Sequence, residues 1–448
     1  MKTINKIRYA SSIVLCAVVT VLFTSCSTEI ANPNSGPELG TLVNSGEQVR
    51  YVSIGNSLTA GYISGACFEA GQKNSYPSIL ARQLGAVDFV QPLYGGEGQY
   101  GGNGRQYLTG IDPATGRPVI TTVPPGVAPV ITSNDNTSKA FSNLGIPGAV
   151  LFDVLDTTDF TAKMVARKNP FFSSILRSQA KGKSILEQAA SLQPNVMTCW
   201  IGSNDVLGYA TSGGADPNLP EPTNPVAFEA LYKQMVMAMN TNANLKNTKI
   251  ILGTIPDVTS VPFFTYGNAY MKTTYGKIMP LVISTPGSAN KVRQMDTTGK
   301  DLLLLPALTL LAKDPTYGQS PTKPIPSQYV LDMDELQKVK DATTAYNNTI
   351  KSIIGDNTWD PNKRFILFDA FTIFNEISAS GYNAPGDMLT NTYISGGIFS
   401  LDGVHPTSRG YAIVANKLID ILNAKFGAHI KKVNPMDYPA IPFETVPN

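Results

Sequence analysis

An α/β layered fold with a mainly parallel sheet is predicted by two features of this 448-residue chain: strand-length apolar runs alternate with helix-length amphipathic stretches, and turn or polar residues sit just past the apolar runs. Strands are expected at 50–55, 196–201, 249–255 and 365–371, each closing on a turn signal or polar residue. Helices are expected at 76–84, 184–192, 225–244, 334–354 and 407–426. The fourth has a readable start, with Asp332 as cap and Glu335 three residues on, the spacing of a capping box. In the last, Tyr411, Val414, Leu418 and Ile421 recur at helical spacing, so one face packs inward and the helix holds the loop before it.

Three stretches, roughly 63–138, 256–330 and 372–398, read as insertions into a compact core, of the kind that shapes a substrate mouth. In the first, Tyr107-Leu108-Thr109 and Val119-Ile120-Thr121 flank Asp112-Pro113-Ala114-Thr115-Gly116, a β-hairpin pattern. The same insertion holds Gly96-Glu97-Gly98-Gln99-Tyr100-Gly101, which matches G-x-G-x-x-G. No amphipathic helix follows to offer its N-terminus to a pyrophosphate, so the run reads as a mobile loop and no nucleotide cofactor is expected.

The N-terminus begins with Lys2, Lys6 and Arg8, continues as an apolar run over 13–23 and closes with Thr24-Ser25-Cys26. Residues 1–25 are expected to be a signal peptide, too short and wrongly flanked to span a membrane. A Cys after a small residue resembles the lipobox of bacterial lipoproteins, with Phe23 where Leu is usual. Cys26 then becomes the lipidated first residue of an exported, membrane-anchored protein; the alternative is an ordinary signal peptide cut nearby. Residues 26–48 read as a flexible tether, 49–430 as one large domain with insertions, and 431–448 as a tail. Loss of residues 1–25 removes three basic and no acidic side chains, taking 35 Lys+Arg to 32 against 33 Asp+Glu. A near-neutral protein without basic runs is not built for nucleic acid or a polyanion. Cys67 and Cys199 are expected as buried free thiols, although the exported compartment also permits pairing. With two His in all and no His/Cys cluster at ligand spacing, no metal is expected.

Four separate segments supply the parts of acyl transfer. Ser57 follows the strand Tyr51, Val52, Ile54 and precedes Leu58-Thr59-Ala60-Gly61-Tyr62, a helix start. That junction puts its Oγ at the open end of the sheet and leaves its N–H free to donate; the bland reading is a capping serine. A Ser needs a base, and His405 is the better of two candidates, because His429 lies in a Lys-rich tail without a nearby carboxylate. Asp402, three residues before His405 in a turn containing Gly403, is placed to hold imidazole Nδ1 and leave Nε2 facing Ser57. Pro406 keeps His405 out of helical geometry and suits the first turn of the next helix. For the oxyanion, Ser57 N–H is joined by the N–H of Gly145, in Asn143-Leu144-Gly145-Ile146-Pro147-Gly148, and by the side-chain amide of Asn204, in Gly202-Ser203-Asn204-Asp205. Asp205 is read as a cap for the following turn.

These blocks resemble the SGNH hydrolases, also called the GDSL lipase/esterase family: Ser57, Gly145, Asn204 and His405 stand at the four name-giving positions, with Asp402 in the D-x-x-H arrangement. The resemblance spans roughly residues 49–426 and implies a flavodoxin-like, three-layer α/β/α fold that hydrolyses esters through an acyl-enzyme without a metal. Asn56 replaces the Asp of GDSL at a position outside the triad. No G-x-S-x-G is present, which excludes the α/β-hydrolase elbow.

The expected activity is thus a lipid-anchored serine esterase, with a carbohydrate O-acetylesterase as the neighbouring alternative and a non-catalytic glycan- or peptide-binding lipoprotein as the rival class. Phe263, Phe264 and Leu302 to Leu305 would suit an acyl pocket, while Tyr94, Tyr100 and Tyr107 would suit stacking on sugar rings.

Overall fold

The apolar run before Ser57 forms strand β1 (Tyr51–Gly55), buried along its whole length. In the computed structural model four more strands complete the central sheet: β2 (Asn143–Gly145), β3 (Val196–Trp200), β4 (Lys249–Gly253) and β5 (Phe365–Phe368). Their order is β5-β4-β3-β1-β2, with every neighbouring pair parallel. This is the flavodoxin-like order. The chain leaves β1 toward one side and returns on the other, which opens a crevice beyond the carboxyl ends of β1 and β3.

The described residues are 36–95, 104–113, 116–124, 140–176, 182–285, 291–444 and 446. The expected signal peptide, Cys26, the tether up to residue 35, the glycine loop with Tyr100 and the middle of the hairpin turn lie outside them. Residues 37–448 form one compact unit. Among the described residues no helix is long and apolar enough to cross a membrane.

The helices that matter to the site are α1 (Ser57–Ala60), α2 (Tyr76–Gln83), α3 (Ile185–Ser191), α4 (Asn204–Thr211), α5 (Pro225–Thr241), α6 (Pro262–Tyr275), α7 (Met333–Ile353), α8 (Ala370–Ser380) and α9 (Ser408–Phe426). Alternate strand residues feed two cores, because successive side chains point to opposite faces. On one face Val52, Ile54, Met197 and Leu252 pack with Phe228, Tyr232 and Met235 of α5 and Val339 and Tyr346 of α7. On the other, Tyr51, Val196, Trp200 and Ile251 pack with Tyr76 and Leu80 of α2 and Tyr411, Val414 and Leu418 of α9. Burying each such side chain contributes about 1.5–3 kcal/mol, so the two helical layers clamp the sheet.

The capping box expected at α7 is present: Asp332 accepts from Glu335 N–H, and Glu335 accepts from Asp332 N–H. The last strand is shorter than the apolar run suggested. Asp369 turns the chain, accepting from Thr372 N–H and from Thr254 Oγ1, so residues 370 and 371 already belong to α8. The segment 37–48, read from sequence as tether, instead packs on the domain. Leu42 is 2% exposed and Thr41 N–H bonds the Phe426 carbonyl at the end of α9. One buried Leu in a polar tract anchored the segment without altering its composition.

The hairpin of the first insertion pairs Gln106–Ile111 with Pro118–Thr122. The second insertion folds around its own small core of Met271, Ile283, Leu303 and Ile325, braced by Arg293, whose guanidinium bonds both oxygens of buried Asp301 at 2.6 and 2.8 Å. The third consists of most of α8 and a hairpin of Tyr382–Ala384 with Asp387–Leu389.

Candidate active site

Ser57 opens α1 directly after β1, and the cap is Asn56: its Oδ1 accepts from Leu58 N–H at 3.0 Å. The serine hydroxyl is thereby released from capping. Ser57 Oγ lies 2.8 Å from His405 Nε2, and His405 Nδ1 lies 2.9 Å from Asp402 Oδ2. A carboxylate only accepts, so Nδ1 carries the proton and donates it to Asp402, leaving Nε2 as the acceptor for the Ser57 hydroxyl.

Asp402 is held by more than the imidazole. Its Oδ1 accepts from Val404 N–H at 2.9 Å, His405 N–H at 2.8 Å and Ser400 Oγ at 3.2 Å, and its Oδ2 also accepts from Gly65 N–H at 3.0 Å. Burial alone would raise this carboxyl, but the attraction of His405 and the donated hydrogen bonds outweigh it and hold it below the usual carboxylate range. The turn itself requires Gly403, which sits at φ +71 with the position of a Cβ only 2.9 Å from Phe263 N. Pro406 lies just outside α9, not in its first turn. Thr407 is the cap, accepting from Gly410 N–H.

The Gly65 contact comes from a part of the chain that sequence reading assigned only to an insertion. Ser64 adopts a left-handed backbone (φ +50), donates its N–H to Ser400 Oγ and accepts from Leu401 N–H. A non-glycine residue held in this region is costly, and here it joins the nucleophile's segment to the Asp402 loop. The Tyr62 ring packs against the imidazole, with centroids 4.7 Å apart and planes tilted by 47°. Nothing local in the sequence marks these residues, because their partners are more than 330 positions away.

The donors for an oxyanion divide. Ser57 N–H is the first amide of a one-turn helix and has no carbonyl one turn back to bond. Asn204 opens α4, and its Nδ2 donates to Ala149 O at 2.8 Å, which orients the amide while leaving its second hydrogen. Gly145 is not available. Its N–H donates to Asn143 Oδ1 at 3.0 Å, and the residue lies buried inside the sheet, paired with Gly55. It is glycine for closeness: an added Cβ would stand 2.4 Å from Ala60 N and 2.6 Å from Thr59 C, in the backbone of α1. The exposed glycine of this loop is Gly148, next to the Ala149 carbonyl that Asn204 grips. Asp205 does not cap its own helix either. It is buried and ties two loops, accepting from Leu151 N–H and Thr223 Oγ1 at 2.9 Å each, and burial pushes its carboxyl up to about 6.

The remaining candidates fall elsewhere. Phe264, Leu303 and Leu304 are fully buried core residues, and none of Phe263, Phe264 or Leu302 to Leu305 lines the pocket beside Ser57. Tyr94 and Tyr107 are 1% and 2% exposed and offer no stacking face. His429 is exposed at the surface, its N–H on the Glu38 carbonyl. Cys67 and Cys199 are free and buried. Burial raises both thiols, Cys199 to about 12, which leaves them unreactive. Among the described residues no group of three or more His, Cys, Asp or Glu could hold a metal ion.

Set beside known proteins, residues 51–418 match the family model of the GDSL-like lipase/acylhydrolases. The chain belongs to this family and is a serine hydrolase acting on ester bonds. Solved structures similar to it include LAE5, an alpha/beta hydrolase enzyme from the metagenome of Lake Arreo, Spain, at 12% identity over 86% of this chain and 98% of that one, with a TM-score of 0.35. Another is Axe2, an acetylxylan esterase from Geobacillus stearothermophilus, at 14% identity over 84% of this chain and 94% of that one, with a TM-score of 0.33. No curated protein matches the sequence.

Proposed function

We propose that the chain is an exported, lipid-anchored esterase that hydrolyses carboxylic esters through an acyl-enzyme on Ser57. The observation that carries the proposal is the unbroken relay of Ser57 Oγ, His405 and Asp402 at 2.8 and 2.9 Å. As Ser57 Oγ bonds to the ester carbonyl carbon, its proton passes to His405 Nε2. The imidazolium is stabilised by Asp402 and then protonates the leaving alcohol as the ester C–O bond breaks. Water repeats the sequence on the acyl-enzyme, releasing the acid and restoring the Ser57 hydroxyl. Ser57 N–H and Asn204 Nδ2 stabilise the developing oxyanion, and the exposed Gly148 takes the loop-donor role expected of Gly145. The anchor rests on the N-terminal charge pattern, the apolar run and Cys26.

Ser57→Ala and His405→Ala should each lower hydrolysis of a short p-nitrophenyl ester by at least about 10⁴-fold with the fold intact. A fluorophosphonate should label Ser57, located by peptide mass. Retained turnover in Ser57→Ala would reject the assignment. For the anchor, Cys26→Ser should abolish incorporation of labelled palmitate and move the protein from the membrane fraction to the soluble one; unchanged fractionation would remove that part of the proposal.

A further inference from the structure

Beside Ser57, Asn204 and His405 the surface opens into a narrow cavity of about 90 Å³, walled almost wholly by apolar groups. Part of its wall comes from outside the central sheet and its flanking helices: Val258 and Val261 after β4, Phe374 and Ile377 from α8, and Ile398 and Phe399 at and just past the end of the third insertion. Trp200 also lines it, stacked on Phe374 with centroids 6.1 Å apart and planes 7° from parallel.

Several polar groups on these walls are already engaged within the fold. Asn391 Nδ2 donates to Ser378 Oγ at 2.7 Å and to Ser260 O at 3.3 Å. Trp200 Nε1 donates to Thr254 O, and Asp257 Oδ1 accepts from Thr259 N–H and Oγ1. Ser203, also a lining residue, is the exception: its Oγ is buried and has no hydrogen-bond partner. A sugar hydroxyl entering this cavity would give up its hydrogen bonds to water against walls that are almost wholly apolar. An alkyl chain would not.

We propose that the cavity is an acyl-chain pocket that selects medium-length, unbranched acyl groups over acetyl groups; this rests on the Ser57 esterase reading above. With the carbonyl oxygen toward Ser57 N–H and Asn204, the acyl tail runs into the cavity and the alcohol side stays toward solvent beside His405. The length limit follows from volume. One water needs roughly 10–15 Å³ of such space, so the cavity takes roughly six to nine groups of that size. The third insertion, through Phe374 and Ile377, thus sets chain-length preference.

The test is a series of p-nitrophenyl esters from acetate to dodecanoate with the purified full chain. kcat/KM should rise roughly fourfold per added methylene while the tail is being buried, then level or fall beyond roughly eight to ten carbons. Val261→Phe fills the cavity from a half-buried position in extended backbone. It should lower the octanoate-to-acetate ratio of kcat/KM by at least about tenfold. A flat series, or one best at acetate, overturns the pocket while leaving Ser57 in place. A second measurement does not depend on turnover: octanoic acid should bind Ser57→Ala by calorimetry and bind the Ser57→Ala, Val261→Phe double variant at least about tenfold more weakly. Absence of octanoate binding, or equal binding to both variants, also overturns it. Should Ser57 prove not to be the nucleophile, the calorimetric comparison still decides whether the cavity takes an acyl chain.

Discussion

Asp402→Asn separates an orienting carboxylate from a loop brace, and the hydrogen-bond pattern gives the size of the effect. Asp402 accepts three donors at Oδ1, from Val404 N–H, His405 N–H and Ser400 Oγ, and two at Oδ2, from Gly65 N–H and His405 Nδ1. An asparagine keeps more of these by placing its carbonyl at the Oδ1 position and its NH₂ at the Oδ2 position. That NH₂ then donates to Nδ1, the ring proton moves to Nε2, and Nε2 becomes a donor toward Ser57. The general base is lost. A triad carboxylate exchanged for its amide lowers kcat by about 10⁴-fold, about 5 kcal/mol in the barrier. Stability suffers less, because only the Gly65 N–H loses its acceptor, at about 1–3 kcal/mol. Initial rates of activated-ester hydrolysis at neutral pH, paired with thermal unfolding followed by circular dichroism, read both quantities. A variant that keeps its fold and retains activity within about tenfold of the parent would refute the orienting role.

Asn204→Ala should lower kcat by about 10²–10³-fold with KM little changed, since its donor acts mainly in the transition state; steady-state kinetics checks the split. Gly145→Ala should destabilise the fold by about 1–3 kcal/mol in denaturant titrations and also impair turnover, because the new methyl pushes on the backbone that carries Ser57. Asp205 gives a pH signature of defined sign. Its folded carboxyl lies at about 6, raised from 3.8, so the protonated form is favoured in the fold. The associated stability is complete below about pH 4 and is lost as pH rises to about 6, roughly 3 kcal/mol in all. Asp205→Asn should flatten melting temperature against pH in that window. The amide can still accept from Leu151 N–H and donate to a reversed Thr223 hydroxyl, and an unchanged slope would count against the assignment.

Most of the sheet could be read from the chain because its central strands are buried on both faces and therefore continuously apolar. Strand β2 escaped that reading: Asn143, Leu144 and Gly145 are too few for any period to emerge. The same brevity concealed that Gly145, read from sequence as an oxyanion donor, is a strand residue. Only the ladder that sets Gly145 opposite Gly55 reveals which glycine lies within the sheet and which faces out. Ser57 was legible because it directly follows a strand end, and Asp402 and His405 because their glycine turn runs into the start of α9. Ser64, Gly65 and Ser400 were not, since they act through contacts between distant segments. The cavity was missed for a related reason. Apolar runs such as Leu302 to Leu305 advertise burial, whereas Val261, Phe374 and Phe399 are single residues from three separate stretches.

The strap of Ser64 and Gly65 across the Asp402 loop has a bearing on biogenesis. A nascent chain emerges with its nucleophile first and its base some 350 residues later. Until the C-terminal helix docks on the Tyr76 helix and the strap closes, Ser57 is an ordinary alcohol. A chain cut short during synthesis would therefore be harmless to the esters of the cell that makes it.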